Sequence, residues 1–234
     1  MKIKNFKVIA LLCLVFTSLW VVFMVWHGVE TGPVETLEKA IDTAANPGWL
    51  FYANYLNAVI FTLLCTAVFA GLYVVCKSVD PVLALLGIVF IPVYSVLNLF
   101  CYFSQVSIVP TLLSGADPAA NPEMLKTLVG QLIQIWEGSL VSFLNGFAYA
   151  ILGIPSITFG IVLLKMGRYA KISGILLILN ATACILGIAG YVMKSSILSM
   201  GTVVGGLLFL FSLIFLTLMF SQKVGVSGQT KNTI

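Results

Sequence analysis

The sequence YLNAVIFTLLCTAVFAGLYVVC at residues 55–76 is followed, after the turn KSVD at residues 77–80, by a second apolar run, PVLALLGIVFIPVYSVLNLFCYF, at residues 81–103. An α-helix needs about 20 apolar residues to cross about 30 Å of hydrocarbon. Each run is long enough, and the turn between them carries Lys77 and Asp80. Asp80-Pro81 is also typical of a helix start, because proline is favoured at the first helical position. The stretch therefore predicts a helical hairpin that crosses a membrane twice.

Four further windows have the same character, and the composition of the whole chain agrees with them. They lie near Val8–Trp26, Leu140–Leu164, Ile172–Met193 and Thr202–Phe220. Hydrophobic residues make up 60% of the 234 residues and charged residues 9%, whereas a soluble domain has about 25% charged residues. We expect an all-α polytopic membrane protein, a bundle of six transmembrane helices in a single domain covering residues 1–234.

The first window resembles a secretory signal, because Lys2, Lys4 and Lys7 precede it. Signal peptides have an apolar core of about 7–15 residues and end at a small-residue cleavage site. This apolar run is longer and contains Trp20 and Trp26. We therefore expect it to stay in the protein as the first span.

The distribution of basic residues predicts the orientation, since Lys and Arg in short loops favour the cytoplasmic side. With six spans and an inner N-terminus, nine of the 12 basic residues fall inside and three outside. The inner ones are Lys2, Lys4, Lys7, Lys77, Lys165, Arg168, Lys171, Lys223 and Lys231; the outer ones are Lys39, Lys126 and Lys194. We expect a multi-pass protein of the cell membrane with both termini in the cytoplasm.

The two long external segments, residues 27–54 and 104–139, each contain a pattern typical of a short amphipathic helix. In Pro33–Ala44, Val34, Leu37 and Ile41 recur at helical spacing among charged residues. In Pro122–Trp136 the apolar stripe consists of Leu125, Leu128, Val129, Leu132 and Trp136. Two interpretations stay open: a lid over an outward-facing cavity, or helices that lie flat among the lipid headgroups.

Neutral polar residues recur on one face of the third and of the fourth span. The third carries Tyr94, Asn98, Tyr102 and Gln105; the fourth carries Ser142, Asn145, Tyr149 and Ser156. At 1.5 Å per residue, Asn98 and Asn145 lie about 9 and about 10 Å to the outer side of their midpoints. Pro92 and Pro155 lie near those midpoints and predict kinks that splay the outer halves.

This asymmetry predicts a pocket that is open to the outside and closed below. The candidate ligand-binding residues are Asn57, Asn98, Tyr102, Gln105, Asn145 and Tyr149. The alternative is that these groups only form hydrogen bonds between neighbouring helices, the ordinary polar contact of membrane bundles. Small residues in Gly201-x-x-x-Gly205 and Ala183-x-x-x-Gly187 predict close helix packing, either within the chain or in a dimer.

Several kinds of chemistry are not supported by the residues present. No Asp, Glu, Lys, Arg or His lies near the middle of a predicted span, which argues against a proton-driven pump. The chain has one histidine, His27, whereas a zinc site needs three or four ligands. The five cysteines are scattered singly. We expect no metal, no cofactor and no nucleic-acid partner, and catalysis is less favoured than binding.

The hairpin turn and the end of the third span carry a resemblance. Residues 72–87, LYVVCKSVDPVLALLG, together with residues 102–111, YFSQVSIVPT, resemble small prokaryotic six-span integral membrane families of unknown function. The resemblance covers about the first half of the chain. It implies a six-span fold and assigns no functional residue.

Three functions are consistent with these sequence features. The first is binding or transport of a small amphipathic or lipid-like ligand in the outward-facing pocket, because neutral polar groups on an apolar wall suit such a molecule. The second is a non-catalytic subunit or scaffold, whose polar faces would point outward to a membrane-protein partner or a second copy. The third is an intramembrane enzyme that uses His27 and a nearby acid. Membrane lipids are expected partners in all three.

Overall fold

The computed structural model describes residues 3–115 and 122–222, and within them the chain forms ten helices and no strand. The helices are α1 (Ile3–Thr31), α2 (Leu37–Ala45), α3 (Trp49–Cys76), α4 (Pro81–Val106), α5 (Ile108–Gly115), α6 (Pro122–Leu132), α7 (Leu140–Leu164), α8 (Arg168–Val192), α9 (Ser196–Ser199) and α10 (Gly201–Ser221). Six of them are long and apolar enough to span a membrane. The predicted all-α, six-span membrane fold is confirmed.

The six long helices form a closed ring in which neighbours along the chain are also neighbours in space. The order is α1, α3, α4, α7, α8 and α10, and α10 returns to contact α1. Successive long helices run in opposite directions. One end of the ring, the turn end, therefore carries the short connections at residues 77–80 and 165–167, and the other end, the cap end, carries α2, α5, α6 and α9.

Two sequence features determine the start of α4 and the packing of the turn end. Asp80 precedes α4, and its carboxylate accepts a hydrogen bond from the backbone N–H of Leu83 at 3.1 Å. The same carboxylate accepts one from the Lys165 ammonium at 3.1 Å. These two donors hold the pKa of Asp80 below its ordinary value. The Asp80–Lys165 pair joins the two basic turns, so both lie at the same end of the ring.

The helix α3 begins before the apolar run that starts at residue 55. Its first residue is Trp49, after Gly48, and no side chain accepts from its first turn. Asn46 ends α2, and its amide donates to the Asp42 carboxylate at 3.1 Å. The second span therefore extends from the predicted window into the cap end.

The interior of the turn-end half consists of packed aromatic and aliphatic side chains. The Phe69 ring lies 5.9 Å from that of Phe159 and 6.2 Å from that of Phe209. All three rings are buried, as are Leu72 and Leu213 beside them. Side chains from α3, α7 and α10 therefore close this half of the ring.

At the cap end, α2, α5 and α6 pack together into a small separate core, which we call the cap. Its buried residues are Ala40, Ala44, Val109, Val129 and Ile133. The Lys126 ammonium on α6 contacts the Glu38 carboxylate on α2 at 2.5 Å, and this hydrogen bond lowers the pKa of Glu38. The two predicted amphipathic helices are confirmed at Leu37–Ala45 and Pro122–Leu132. They pack against each other and against α5.

Close helix approach depends on glycine where α8 meets α10. A Cβ on Gly187 would lie 2.6 Å from the Thr202 backbone nitrogen, and one on Gly201 would lie 2.8 Å from the Gly187 backbone nitrogen. The two small-residue motifs of the sequence therefore meet each other within one chain.

Candidate functional site

The two asparagines that the sequence places at similar depth meet between α4 and α7. The Asn145 side-chain amide donates to the Asn98 side-chain carbonyl at 3.1 Å. Asn98 is fully buried, and Asn145 is half-buried. The predicted polar faces of the third and fourth spans therefore point towards each other and not to opposite sides of the molecule.

Two tyrosines, one on each of these helices, form a second polar contact beside the asparagine pair. The hydroxyl groups of Tyr102 on α4 and Tyr149 on α7 share a hydrogen bond of 2.7 Å. The ring of Tyr149 also lies 6.0 Å from that of Tyr94, and the ring of Tyr102 lies 6.4 Å from that of Tyr55 on α3. We call Tyr94, Asn98, Tyr102, Asn145 and Tyr149 the polar cluster.

Within the described residues, two buried polar atoms of the polar cluster lack a hydrogen bond of good geometry. They are the Asn98 side-chain nitrogen and the Tyr94 hydroxyl oxygen, and both residues are fully buried. Their nearest polar neighbours, the Cys65 thiol for Tyr94 and the Tyr149 hydroxyl for Asn98, make only a weak contact. Burying a donor without a partner costs about 1–3 kcal/mol. Both groups can donate, and the Asn98 carbonyl already accepts from Asn145. Two donor groups of the cluster are therefore left without a hydrogen bond of good geometry.

The polar cluster lies on the cap side of both helix-interior prolines. Pro92 and Pro155 lack the N–H that would bond to the carbonyls of Ile88 and Ile151. Tyr94 follows Pro92 by two residues on α4, and Tyr149 precedes Pro155 by six on α7. Each of the two helices therefore lacks one backbone hydrogen bond close to the cluster, on the side of the cluster that faces the turn end.

Two of the six predicted site residues lie elsewhere. Asn57 donates to the backbone carbonyl of Phe16 at 3.0 Å and so joins α3 to α1. Gln105 donates to the Leu132 carbonyl at 2.9 Å and accepts from the Gln134 N–H at 3.0 Å. The structure therefore brings together Asn98, Tyr102, Asn145 and Tyr149 of the predicted set, while Gln105 ties the end of α6 to α4.

Tyr94 was not among the predicted site residues, although it belongs to the cluster. Its position four residues before Asn98 places it on the same face of α4, which is the signal that identifies it in the sequence. Tyr94 belongs to the apolar core of the helix bundle, close to the turn-end half. The pattern alone did not distinguish it from the other tyrosines of the chain.

The histidine of the enzyme hypothesis, His27, lies beside the ring of Phe51, at 5.9 Å, and near the Thr31 hydroxyl. Glu30 lies close to it in the last turn of α1. The Ser139 hydroxyl accepts from the Ser142 N–H at the start of α7. Among the described residues, no three His, Cys, Asp or Glu side chains are grouped so that they could hold a metal ion. The polar cluster itself is neutral and suited to hydrogen bonding.

Comparison with known proteins adds no further constraint on this site. The resemblance of residues 72–87 to six-span families of unknown function stays a prediction. No family model matches the chain, and no curated protein or solved structure matches it at a significant level.

Proposed function

We propose that this membrane protein binds, and by binding carries or stores, a small neutral amphipathic or lipid-like molecule at the polar cluster between α4 and α7. The observation that carries the proposal is the pair of fully buried groups without a hydrogen bond of good geometry, the Asn98 amide nitrogen and the Tyr94 hydroxyl. A ligand oxygen that accepts from both would remove the cost of burying them. The apolar residues around the cluster would hold the rest of the molecule.

The chemistry of the cluster favours an uncharged polar end on the ligand. No charged side chain belongs to the cluster, and an unpaired charge at this depth would cost several kcal/mol. Two donors whose hydrogen bonds are incomplete favour a ligand that offers carbonyl, ester or hydroxyl oxygens. A monoacylglycerol has this chemistry, whereas a fatty-acid anion adds a charge and an alkane lacks the oxygens.

In this proposal the cap acts as a lid over the cluster. Gln105 lies one turn beyond Tyr102 on α4, and it holds Leu132 and Gln134 at the end of α6. Opening of the cap would therefore expose the side of α4 that leads to Tyr102. The turn-end half, closed by Phe69, Phe159 and Phe209, leaves the cap end as the route of entry.

The scaffold alternative receives less support from the same residues. That hypothesis expects the polar faces of α4 and α7 to point away from the bundle. Asn98, Tyr102 and Gln105 are instead at most 2% exposed and face neighbouring helices. What the bundle presents outward is apolar, as lipid requires.

The ligand proposal predicts a selective thermal stabilisation. In detergent, the purified protein should be stabilised by 1-monooleoylglycerol more than by oleate or octadecane, measured as the rise in Tm. Replacing Asn98 and Asn145 together with leucine should remove this difference, because neither the donor nor its anchoring partner remains. Asn180→Leu is the matched control: Asn180 is buried and bonds to the Gly205 carbonyl at 2.8 Å between α8 and α10. It should lower the Tm without affecting the selectivity. Equal stabilisation by all three probes would contradict the proposal.

We also propose that the cap end faces the outside of the cell and that both chain termini are cytoplasmic. The described basic residues support this: Lys77, Lys165, Arg168 and Lys171 flank the turn end. Lys2, Lys223 and Lys231, which contribute to the sequence argument, lie outside the described residues.

The orientation proposal predicts where a reagent can reach the chain. Ser196→Cys at the cap end should react with a membrane-impermeant maleimide in intact cells, and Ser78→Cys at the turn end only after permeabilisation. Both serines are exposed, and all five native cysteines are buried, so the background is low. Labelling of Ser78→Cys in intact cells would reverse the orientation.

A further inference from the structure

A cavity lies at the cap end, apart from the polar cluster. It has a volume of about 240 Å³ and is formed by the last turns of α1, one face of α2 and the start of α3. Its lining comprises His27, Glu30, Thr31, Lys39, Asp42, Thr43, Asn46, Gly48, Leu50 and Phe51. Pockets for drug-sized ligands are about 300–1,000 Å³, so this cavity suits a smaller polar group.

The helix α2 explains why the wall of this cavity is polar. Ala40 and Ala44 on one face of α2 are buried in the cap. The opposite face presents Lys39, Asp42 and Asn46, at spacings of three and four residues, to the cavity. The face of an amphipathic helix that would ordinarily contact only water is here opposed by the end of α1.

The cavity combines both signs of charge without pairing them. Glu30 accepts a hydrogen bond from the Trp26 ring nitrogen at 2.8 Å, and Asp42 accepts one from the Asn46 amide at 3.1 Å. Within residues 5–115 and 123–222, Lys39 forms no ion pair with either acid. One ammonium, two carboxylates and the His27 imidazole therefore line the same small space. Leu50 and Phe51, both buried, provide its floor.

Aromatic side chains show the depth at which this cavity lies. Trp26 and Trp49 pack edge to face with ring centroids 5.3 Å apart, and both are substantially exposed. Exposed tryptophans of membrane proteins concentrate at the level of the lipid headgroups. The Trp26 ring nitrogen also donates to the Glu30 carboxylate, so this carboxylate of the cavity lies at the level of the exposed tryptophans.

From this arrangement we propose that the cavity binds a zwitterion of the phosphoethanolamine type. Glu30 and Asp42 receive its ammonium group, and Lys39 pairs with its phosphate. A purely anionic ligand would face two carboxylates, and a purely cationic one would leave Lys39 unpaired. Both the headgroup of a phospholipid and a free phosphorylated amine have this chemistry. The site is independent of the polar cluster.

The test compares ligands and variants on the full chain in detergent. The ligands are O-phosphoethanolamine, a short-chain phosphatidylethanolamine and a short-chain phosphatidylglycerol, with binding measured by native mass spectrometry and by the shift in Tm. We expect the phosphatidylethanolamine to bind at least tenfold more tightly than the phosphatidylglycerol. Lys39→Gln and Glu30→Gln should each reduce that preference at least fivefold. Lys194→Gln and Glu35→Gln, at exposed positions outside the cavity, should not.

The outcomes separate the two sources of the ligand. Binding of O-phosphoethanolamine with the same dependence on Lys39 supports recognition of the headgroup alone, and binding of the lipid only supports recognition of a membrane-anchored headgroup. Equal binding of the two lipids, or a preference that Lys39→Gln and Glu30→Gln leave unchanged, would overturn the proposal. Because all substituted side chains are exposed, the variants should fold, which the Tm without ligand verifies.

Discussion

Replacing Gly201 with alanine is expected to destabilise the protein by about 1–3 kcal/mol, the usual cost of forcing extra atoms into a packed interior. The added Cβ would contact the Ala183 carbonyl oxygen and lie 2.8 and 3.0 Å from the backbone nitrogen and Cα of Gly187. Because all of these are backbone atoms, no side-chain rotation relieves the contact, and α8 and α10 must move apart. Unfolding in mixed detergent micelles, followed by circular dichroism, measures the change.

Gly206→Ala provides the control on the same helix. A Cβ there would meet only Cζ3 of Trp20, at 3.6 Å, an ordinary contact. Since alanine favours the helix over glycine by about 1 kcal/mol, Gly206→Ala should be neutral or stabilising. If Gly201-x-x-x-Gly205 mediated a dimer instead, Gly201→Ala would dissociate the dimer and leave the unfolding free energy of the monomer unchanged. That result would contradict the packing described above.

The second large effect is expected for Gln105→Leu, which should release the end of α6 from the bundle. The substitution leaves the Leu132 carbonyl and the Gln134 N–H without their partner. Each orphaned group costs about 1–3 kcal/mol, and every 1.4 kcal/mol changes an equilibrium tenfold. Hydrogen exchange of the amides in residues 122–136 should therefore accelerate at least tenfold, while those of α8 and α10 keep their protection.

The control for this variant is Gln222→Leu. Gln222 follows α10 at the turn end, and its side chain is exposed, so the same substitution there should leave exchange in α6 unchanged. Unaltered exchange at residues 122–136 in Gln105→Leu would show that packing of Val129 and Ile133 holds the cap without the amide. Uniform acceleration across all helices would mean that Gln105 supports the whole fold and not the cap alone.

The long helices could be predicted from the sequence because lipid leaves few alternatives. Every backbone polar group must be satisfied inside the span, so an apolar run of sufficient length has to be a helix. The bounds of α7 agree with the predicted Leu140–Leu164. The helix α5 was missed, since Pro110 and Gly115 in a run of eight residues are typical of a loop. Proline is tolerated in a first helical turn, and packing of Val109 into the cap stabilises the rest.

The contacts of the site could be predicted only where polar residues repeat along one face of a helix and so determine which side chains face the neighbouring helix. Asn98 and Asn145 meet because α4 and α7 are neighbours and each carries a single polar face. The helix α3 contacts α1, α4 and α7, so its sequence did not show which of them Asn57 would reach. Gln105 lies at the end of its helix, where its partner comes from a connection between α6 and α7. Such contacts depend on the packing of several helices and leave no periodic pattern.

The exposed ion pair between Asp80 and Lys165 joins the two hairpins at the end of the bundle where phenylalanine rings fill the interior. If the proposed ligand binds between α4 and α7, it would enter and leave from the cap end. Such a ligand would exchange with one leaflet only, without passage through the bilayer.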